Sequence, residues 1–200
     1  MINPNDDWKL KGQNGFIWKF ANDLPGGLVG NAAYADNTAD GDCKDDNIKG
    51  DTRMITPSIS LAKLNDVDPN SVLMLTFDHF IETERYYDGG FLEIILNGNY
   101  DSNSILIPRQ FFTFNPYNDY LKTDSDTPYG GNPAFYGTNY ETEEGSWGQS
   151  QVDLSKFGLT ADDAIRLVFV FTRNGCKSGG RGWYVDNIKV LAVGAEEPTD

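Results

Sequence analysis

The stretch Gly182-Trp183-Tyr184-Val185-Asp186-Asn187-Ile188-Lys189-Val190 decides the fold class of this chain. Side chains alternate between the two faces of a strand, so one face would carry Tyr184, Asp186, Ile188 and Val190. That face is apolar apart from Asp186. A carboxylate among inward-facing apolar residues is costly unless it is hydrogen-bonded or bound to a metal. We therefore expect Asp186 to point inward and to have such a partner.

The rest of the chain repeats this strand pattern and shows almost no helical periodicity. Short runs of β-branched and aromatic residues alternate with clusters of Gly, Asn, Asp and Pro, which is typical of an all-β protein. The pattern predicts strands near residues 15–20, 29–35, 51–61, 72–81, 90–96, 105–107, 148–153, 164–171 and 182–191. About nine strands suffice for two packed antiparallel sheets. Three long loops interrupt them, at 35–50, 109–145 and 172–181.

Length and charge limit the function classes. The 200 residues have 30 acidic and 16 basic side chains and a formal net charge of -14. Such a surface repels nucleic acid and anionic lipid, so we expect neither as a partner. No run of 18 apolar residues occurs, so we expect no membrane insertion. We assign residues 1–14 to a leader, 15–192 to one domain and 193–200 to a polar linker, in a secreted or cell-surface protein whose signal peptide lies outside this segment.

The two cysteines, Cys43 and Cys176, both lie in polar loops. Free cysteines are usually buried, so their loop positions favour one disulfide in an oxidising compartment. The alternative is two unpaired thiols.

The order of motifs resembles the MAM-like jelly-roll β-sandwich. The resemblance spans residues 15–190 and rests on the segments Gly15-Phe16-Ile17-Trp18-Lys19-Phe20, Leu75-Thr76-Phe77-Asp78-His79, Tyr87-Asp88-Gly89-Gly90-Phe91 and Gly182-Trp183-Tyr184-Val185-Asp186-Asn187-Ile188. Modules of this type are appended to secreted bacterial metalloproteases of the immune inhibitor A type and to other multidomain exoproteins. The resemblance implies a non-catalytic module, often with a structural calcium ion, and makes Asp88 and Asp186 pattern positions.

An acidic loop offers further calcium ligands. Asp40, Asp42, Asp45 and Asp46 crowd one short segment, and calcium requires six to eight oxygen ligands. The loop does not match a helix-flanked calcium motif. Asp40, Asp42, Asp45, Asp46, Asp88 and Asp186 are thus the candidate Ca²⁺ ligands. A solvated acidic loop is the alternative.

Loop aromatics suggest a ligand surface. Flat rings beside Asn, Asp and Arg stack on sugars or contact proteins at low entropic cost. The candidates are Trp147, Tyr86, Tyr87, Tyr117 and Tyr120. The alternative is that these rings pack into their own loops.

Catalysis finds little support in the sequence. Zinc-protease and Gly-x-Ser-x-Gly motifs are missing, and the only histidine, His79, falls in a strand where a hydrogen-bonded structural role is expected. Glu82 and Glu84 place two carboxylates on one face of an extended segment, which leaves a jelly-roll glycosidase as a minor alternative.

The main functional hypothesis is therefore a non-catalytic recognition module of a secreted multidomain protein, stabilised by calcium. Its expected partners are an extracellular protein or glycan and other domains of the same chain. A carbohydrate-binding module and a surface adhesion domain are the other non-catalytic alternatives.

Overall fold

The computed structural model describes residues 7–13, 16–37, 49–64, 71–124, 128–137, 145–176 and 180–194. These residues form fourteen strands: β1 (Lys9–Gly12), β2 (Lys19–Asp23), β3 (Val29–Ala35), β4 (Gly50–Ile55), β5 (Ile59–Ser60), β6 (Val72–Glu82), β7 (Gly89–Leu96), β8 (Ile105–Leu106), β9 (Phe112–Phe114), β10 (Asp119–Tyr120), β11 (Pro133–Ala134), β12 (Trp147–Asp153), β13 (Ala164–Arg173) and β14 (Gly182–Val193). Four short 3₁₀ turns lie at Pro25–Gly27, Leu61–Leu64, Arg109–Phe111 and Leu154–Phe157. None of the helical segments in the described ranges has the length and hydropathy of a membrane span.

The strands form an antiparallel jelly-roll β-sandwich, as the sequence predicts. The first sheet has the order β1-β4-β13-β7-β8, with β5 also paired to β13. The second sheet has the order β2-β3-β14-β6-β12-β9. Strands β10 and β11 form a separate two-stranded sheet. The long apolar strands β6, β7, β13 and β14 occupy interior positions in the sheets, with a strand on either side of each.

Aromatic rings fill the space between the two sheets. The rings of Trp18 and Trp183 lie 5.5 Å apart, and those of Phe77 and Phe169 are also 5.5 Å apart. Gly90 is required beside this cluster, because a Cβ atom there would lie 2.3 Å from the Trp183 ring. The core thus depends on a close approach between the glycine-initiated start of β7 and the closing strand β14.

The predicted long loop at 109–145 contributes to the core. Tyr117 is fully buried, and its hydroxyl accepts a hydrogen bond from the backbone N–H of Leu92 at 3.0 Å. Its ring lies 4.9 Å from that of Phe135, which is buried as well. The prediction of Tyr117 as a ligand-binding residue is therefore wrong, because its ring packs inside the sandwich.

Strand β1 lies within residues 1–14, for which the sequence predicts a leader. It pairs with β4 over four residues. Lys11 then holds it to the loop before β8, donating to the backbone oxygen of Tyr100 at 2.6 Å and to Asp101 at 2.7 Å. Residues 9–12 therefore belong to the first sheet.

Candidate functional site

The outer face of the second sheet carries an ordered set of polar side chains. Paired residues of antiparallel strands share a face, so the strand register defines rows that run across β14, β6 and β12. One row is Asp186–Asp78–Gln149, and the next is Lys189–Thr76–Gln151. We call these six residues the outer polar face. All six are at least partly exposed.

Aromatic residues border the outer polar face on one side. The row beside Asp186–Asp78–Gln149 is Tyr184–Phe80–Trp147. The turn Pro25–Gly27 lies against this row, since the indole N–H of Trp147 donates to the backbone oxygen of Pro25 at 2.9 Å. Tyr184 and Phe80 are buried there, whereas Trp147 is only partly buried. Of the predicted ligand-binding residues, Trp147 is the one that lies at this face.

A second aromatic residue lies at the opposite corner of the outer polar face. Phe114 of β9 pairs with Gln151 of β12, so its ring lies on the same face. The Phe114 side chain is 59% exposed. Trp147 and Gln151 are four residues apart on β12, or about 13 Å along the strand. Two rings thus flank polar rows about as long as a short oligosaccharide.

Hydrogen bonds fix the carboxylate of Asp78 in the centre of the face. Its Oδ1 accepts from the Gln149 amide at 3.1 Å, and its Oδ2 accepts from the Asn187 amide at 2.8 Å. Gln151 donates in turn to Gln149 at 3.2 Å. By contrast, the Oδ1 of Asp186 is buried and accepts no hydrogen bond from any of the described residues. The amide side chains therefore orient Asp78 but do not reach the Oδ1 of Asp186.

The position of Asp186 corrects the face assignment made from the sequence. A β-bulge shifts the register between β14 and β6 after Asp186, and Asn187 has a φ of 51°. Trp183 and Val185 face the core before the bulge, while Ile188 and Val190 pack against it afterwards. The bulge reverses the alternation, so Asp186 lies on the outer face rather than in the interior. Strict alternation could not reveal this extra residue.

Two predicted ligand residues, Tyr86 and Tyr87, lie together on a different surface, beside Lys122. Its side chain donates to the Tyr87 hydroxyl at 2.6 Å, and its backbone N–H donates to the Tyr86 oxygen at 2.9 Å. Tyr86 has a φ of 72°, an uncommon conformation for an aromatic residue. Tyr120 lies in β10, two residues before Lys122, and its side chain is 54% exposed. Tyr86 and Tyr87 thus share one surface, whereas Trp147 lies at the outer polar face.

Asp88 is a fully buried carboxylate at one end of the sandwich. Its Oδ1 accepts from the backbone N–H of Asn174 at 2.7 Å, and its Oδ2 accepts from the amide of Asn37 at 3.1 Å. Burial raises the pKa of Asp88 to about 7; the two hydrogen bonds and Arg173 oppose this shift, and Glu84 adds to it. The hydrogen-bonded role that the sequence left open for Asp88 is present. Its role as a metal ligand stays a prediction.

The other predicted metal ligands and one cysteine lie outside the described residues. Asp40, Asp42, Asp45, Asp46 and Cys43 all fall within residues 38–48. Across the part of the chain that is described, no three His, Cys, Asp or Glu side chains are grouped to hold a metal ion. Cys176 is disulfide-bonded, and Cys43 is the only other cysteine in the sequence.

The two glutamates of the glycosidase hypothesis have separate partners. Glu82 ends β6 and forms an ion pair with Arg181 at 3.5 Å. Glu84 accepts from the Asn174 amide at 3.2 Å in the following turn. Each of the two carboxylates therefore has a contact that holds neighbouring parts of the fold together.

Comparisons with known proteins show similarity to β-sandwich modules. Neither protein-family profiles nor curated protein sequences match the chain. Among solved structures, it is similar to the K1 cleaved adhesin domain of Lys-gingipain from Porphyromonas gingivalis W83, with 18% identity, a TM-score of 0.49, and coverage of 94% of this chain and 91% of that one. It is also similar to a family 11 carbohydrate-binding module from Clostridium thermocellum, solved with a β-1,3-1,4-mixed-linked tetrasaccharide, with 16% identity, a TM-score of 0.40, and coverage of 94% and 91%. A carbohydrate-binding module of Caldicellulosiruptor saccharolyticus, solved with mannohexaose, shows 12% identity, a TM-score of 0.43, and coverage of 89% and 84%.

Proposed function

We propose that the chain is a non-catalytic glycan-recognition module of an extracellular multidomain protein, with its ligand on the outer polar face. The observation that carries this proposal is the combination of two flanking rings, Trp147 and Phe114, with polar rows between them. Aromatic rings offer apolar contact to the faces of sugar rings. Carboxylates accept hydrogen bonds from hydroxyl groups, whereas Gln donates and accepts and Lys donates. A few polar groups that converge beside aromatic surface are the usual composition of a small-ligand site.

Exposed members of this face provide the test. We expect Phe114→Ala and Gln149→Ala each to weaken glycan binding by about fivefold to tenfold, the cost of one stacking contact or one hydrogen bond. Binding would be found on a glycan array and quantified by calorimetry. Tyr120→Ala, which removes an exposed ring from the separate β10-β11 sheet, is the matched control and should retain affinity. An array without any bound glycan would contradict the proposal, as would a loss confined to the Tyr120 variant.

The larger protein to which the module belongs is also a proposal. The resemblance of its motifs to MAM-like modules supports a secreted exoprotein, in particular a metalloprotease, as the parent chain. The domains that accompany this segment in its full polypeptide would test this assignment.

We further propose that calcium stabilises the module. The candidate ligands are Asp88 and the aspartates of the acidic loop, whose oxygen atoms suit a hard cation. The raised pKa of Asp88 supports this, because it indicates a buried negative charge with too little compensation, which a cation would supply. The predicted disulfide between Cys43 and Cys176 would hold the acidic loop near the turn that contains Asn174, a partner of Asp88.

Thermal melting would test the calcium proposal. Each tenfold increase in free calcium above the dissociation constant should add about 1.4 kcal/mol to the free energy of unfolding, and a chelator should reverse the gain. Magnesium, with its stricter geometry, serves as the control ion. A melting temperature that neither calcium nor chelator changes would contradict the proposal that calcium stabilises the module.

A further inference from the structure

We infer that the outer polar face prefers glycans with free amino groups over neutral glycans of the same backbone, an inference that rests on the proposed glycan-binding function. The observation behind it is the placement of two carboxylates at the centre of the face, with no positive charge among the described residues paired to either of them.

Asp78 and Asp186 lie directly opposite each other in the antiparallel strands β6 and β14. Opposed residues of this kind have Cβ atoms about 5 Å apart, and like charges so placed destabilise a sheet. No lysine or arginine of the described ranges forms an ion pair with either of them. Lys189 lies in the adjacent row, opposite Thr76. The centre of the face therefore has two formal negative charges, and the described part of the chain supplies no ion-pair partner for them.

The two carboxylates differ in how well the protein stabilises them. Asp78 accepts two amide hydrogen bonds, from Gln149 and Asn187. The Oδ1 of Asp186 is shielded from water and accepts no hydrogen bond from the described residues. Folding therefore removes the hydrogen bonds that water gives this oxygen without replacing them, which costs free energy. A positive charge in front of the pair would interact with both carboxylates. At Asp186 the contact would be made by Oδ2, because Oδ1 is enclosed by the protein.

An ammonium group fits this pair better than the other candidates. It has three N–H donors and a full charge, which match two adjacent carboxylates. Calcium requires six to eight oxygens, more than this pair provides, and sugar acids would be repelled by both aspartates. On a face whose remaining groups suit hydroxyls and sugar rings, the matching ligand is an amino sugar in its protonated form.

Three β-1,4-linked hexasaccharides that differ only at carbon 2 provide the probes: those of glucose, N-acetylglucosamine and glucosamine. By calorimetry at a pH where the amine is protonated, we expect the glucosamine hexamer to bind about fivefold more tightly than the other two. Asp186→Asn should abolish this ratio without loss of stability, because it also removes the repulsion. Asp78→Asn should reduce the ratio as well. Asp162→Asn, at an exposed acid just before β13 of the first sheet, controls for overall charge and should keep the ratio.

The outcomes separate this inference from the proposed function. Equal affinity for the three hexamers, or for any neutral and amino form of one backbone, would overturn the preference for amino sugars and leave glycan binding intact. An equal fall of the ratio in Asp162→Asn would also overturn it, because the attraction would then come from net charge. No binding to any glycan would overturn the proposed function itself.

Discussion

Between pH 6.5 and pH 4 the wild-type protein should lose about 3 kcal/mol of its free energy of unfolding through His79. The variant His79→Gln should not show this loss. The cause is a fully enclosed imidazole on β6. Burial lowers the pKa of His79 from 6.5 to about 4, and nearby Asp78 only partly opposes this shift. Below pH 6.5 the unfolded chain takes up a proton that the folded chain refuses until about pH 4. The stability that His79 provides is therefore complete above pH 6.5 and is lost as the pH falls.

A chain of hydrogen bonds explains why the folded protein keeps this ring neutral. The Trp183 indole donates to Nδ1 at 3.3 Å, so Nδ1 must be unprotonated and Nε2 has the hydrogen. Nε2 then donates to the Ser150 hydroxyl at 3.0 Å, which donates to the backbone oxygen of Asn115 at 2.7 Å. A second proton on the imidazole would point at the indole N–H of Trp183. The apolar ring of Phe135 also packs against the imidazole, with the two ring centroids 4.4 Å apart. The hydrogen-bonded strand histidine expected from the sequence is thus confirmed.

The measurement is the free energy of unfolding by urea at pH 7, 5.5 and 4 for wild type and variant. At pH 7 His79→Gln should be less stable by about 1–3 kcal/mol, since a hydrogen bond and ring packing are lost. The difference should shrink and then reverse toward pH 4. Tyr120→Ala, at an exposed ring of β10, should follow the wild-type profile. A constant difference between His79→Gln and wild type across this range would contradict the account.

Much of the fold could be predicted from alternating apolar residues. The long strands β6, β7, β13 and β14 all fall where the pattern placed them, because buried strands have long β-branched and aromatic runs. The short strands β1, β9, β10 and β11 were missed. Each has two to four residues and is fixed by its tertiary partners rather than by local sequence, so a pattern of period two has too few positions to detect it.

The candidate site was less accessible from sequence, for two physical reasons. Rows such as Asp186–Asp78–Gln149 join residues far apart in the chain, and only the strand register brings them together. The bulge at Asn187 then moved Asp186 to the other face, which no alternation rule anticipates. Phe114 belongs to the site only because β9 pairs with β12 and places it opposite Gln151, a pairing that the sequence does not show. Loop aromatics such as Tyr117 were misassigned because sequence does not show which long loop folds back into the core.

The second large effect is expected at Asp88, whose titration should make the protein less stable as the pH rises, the opposite of the effect of His79. Asp88→Asn should remove this dependence of stability on pH. The folded-state pKa of about 7 lies above the value of 3.8 for an unburied aspartate. Between these values the folded chain keeps a proton that the unfolded chain has released, so stability falls as the pH rises. The loss amounts to about 4 kcal/mol in all, and it is constant above pH 7. An asparagine has no proton to lose and should be free of this penalty.

Asp88→Asn should therefore cross the wild type in stability. Near pH 4 it should be less stable by about 1 kcal/mol, because its new amide N–H₂ opposes that of Asn37 and one hydrogen bond is weakened. Above pH 7 it should be more stable by about 3 kcal/mol. The measurement is urea unfolding in chelator, since a bound cation would lower the pKa of Asp88 and reduce the effect. A difference between variant and wild type that does not change with pH would contradict the assignment.

The double variant links the two predictions. His79 makes the protein more stable as the pH rises from 4 to 6.5, and Asp88 makes it less stable from 4 to 7. Their contributions oppose each other over nearly the same range, so the wild type should show a flatter profile than either single variant. His79→Gln should expose the falling profile of Asp88, and Asp88→Asn should expose the rising profile of His79. The side chains have no hydrogen bond in common, so the two effects should add in the double variant, which should again be nearly flat.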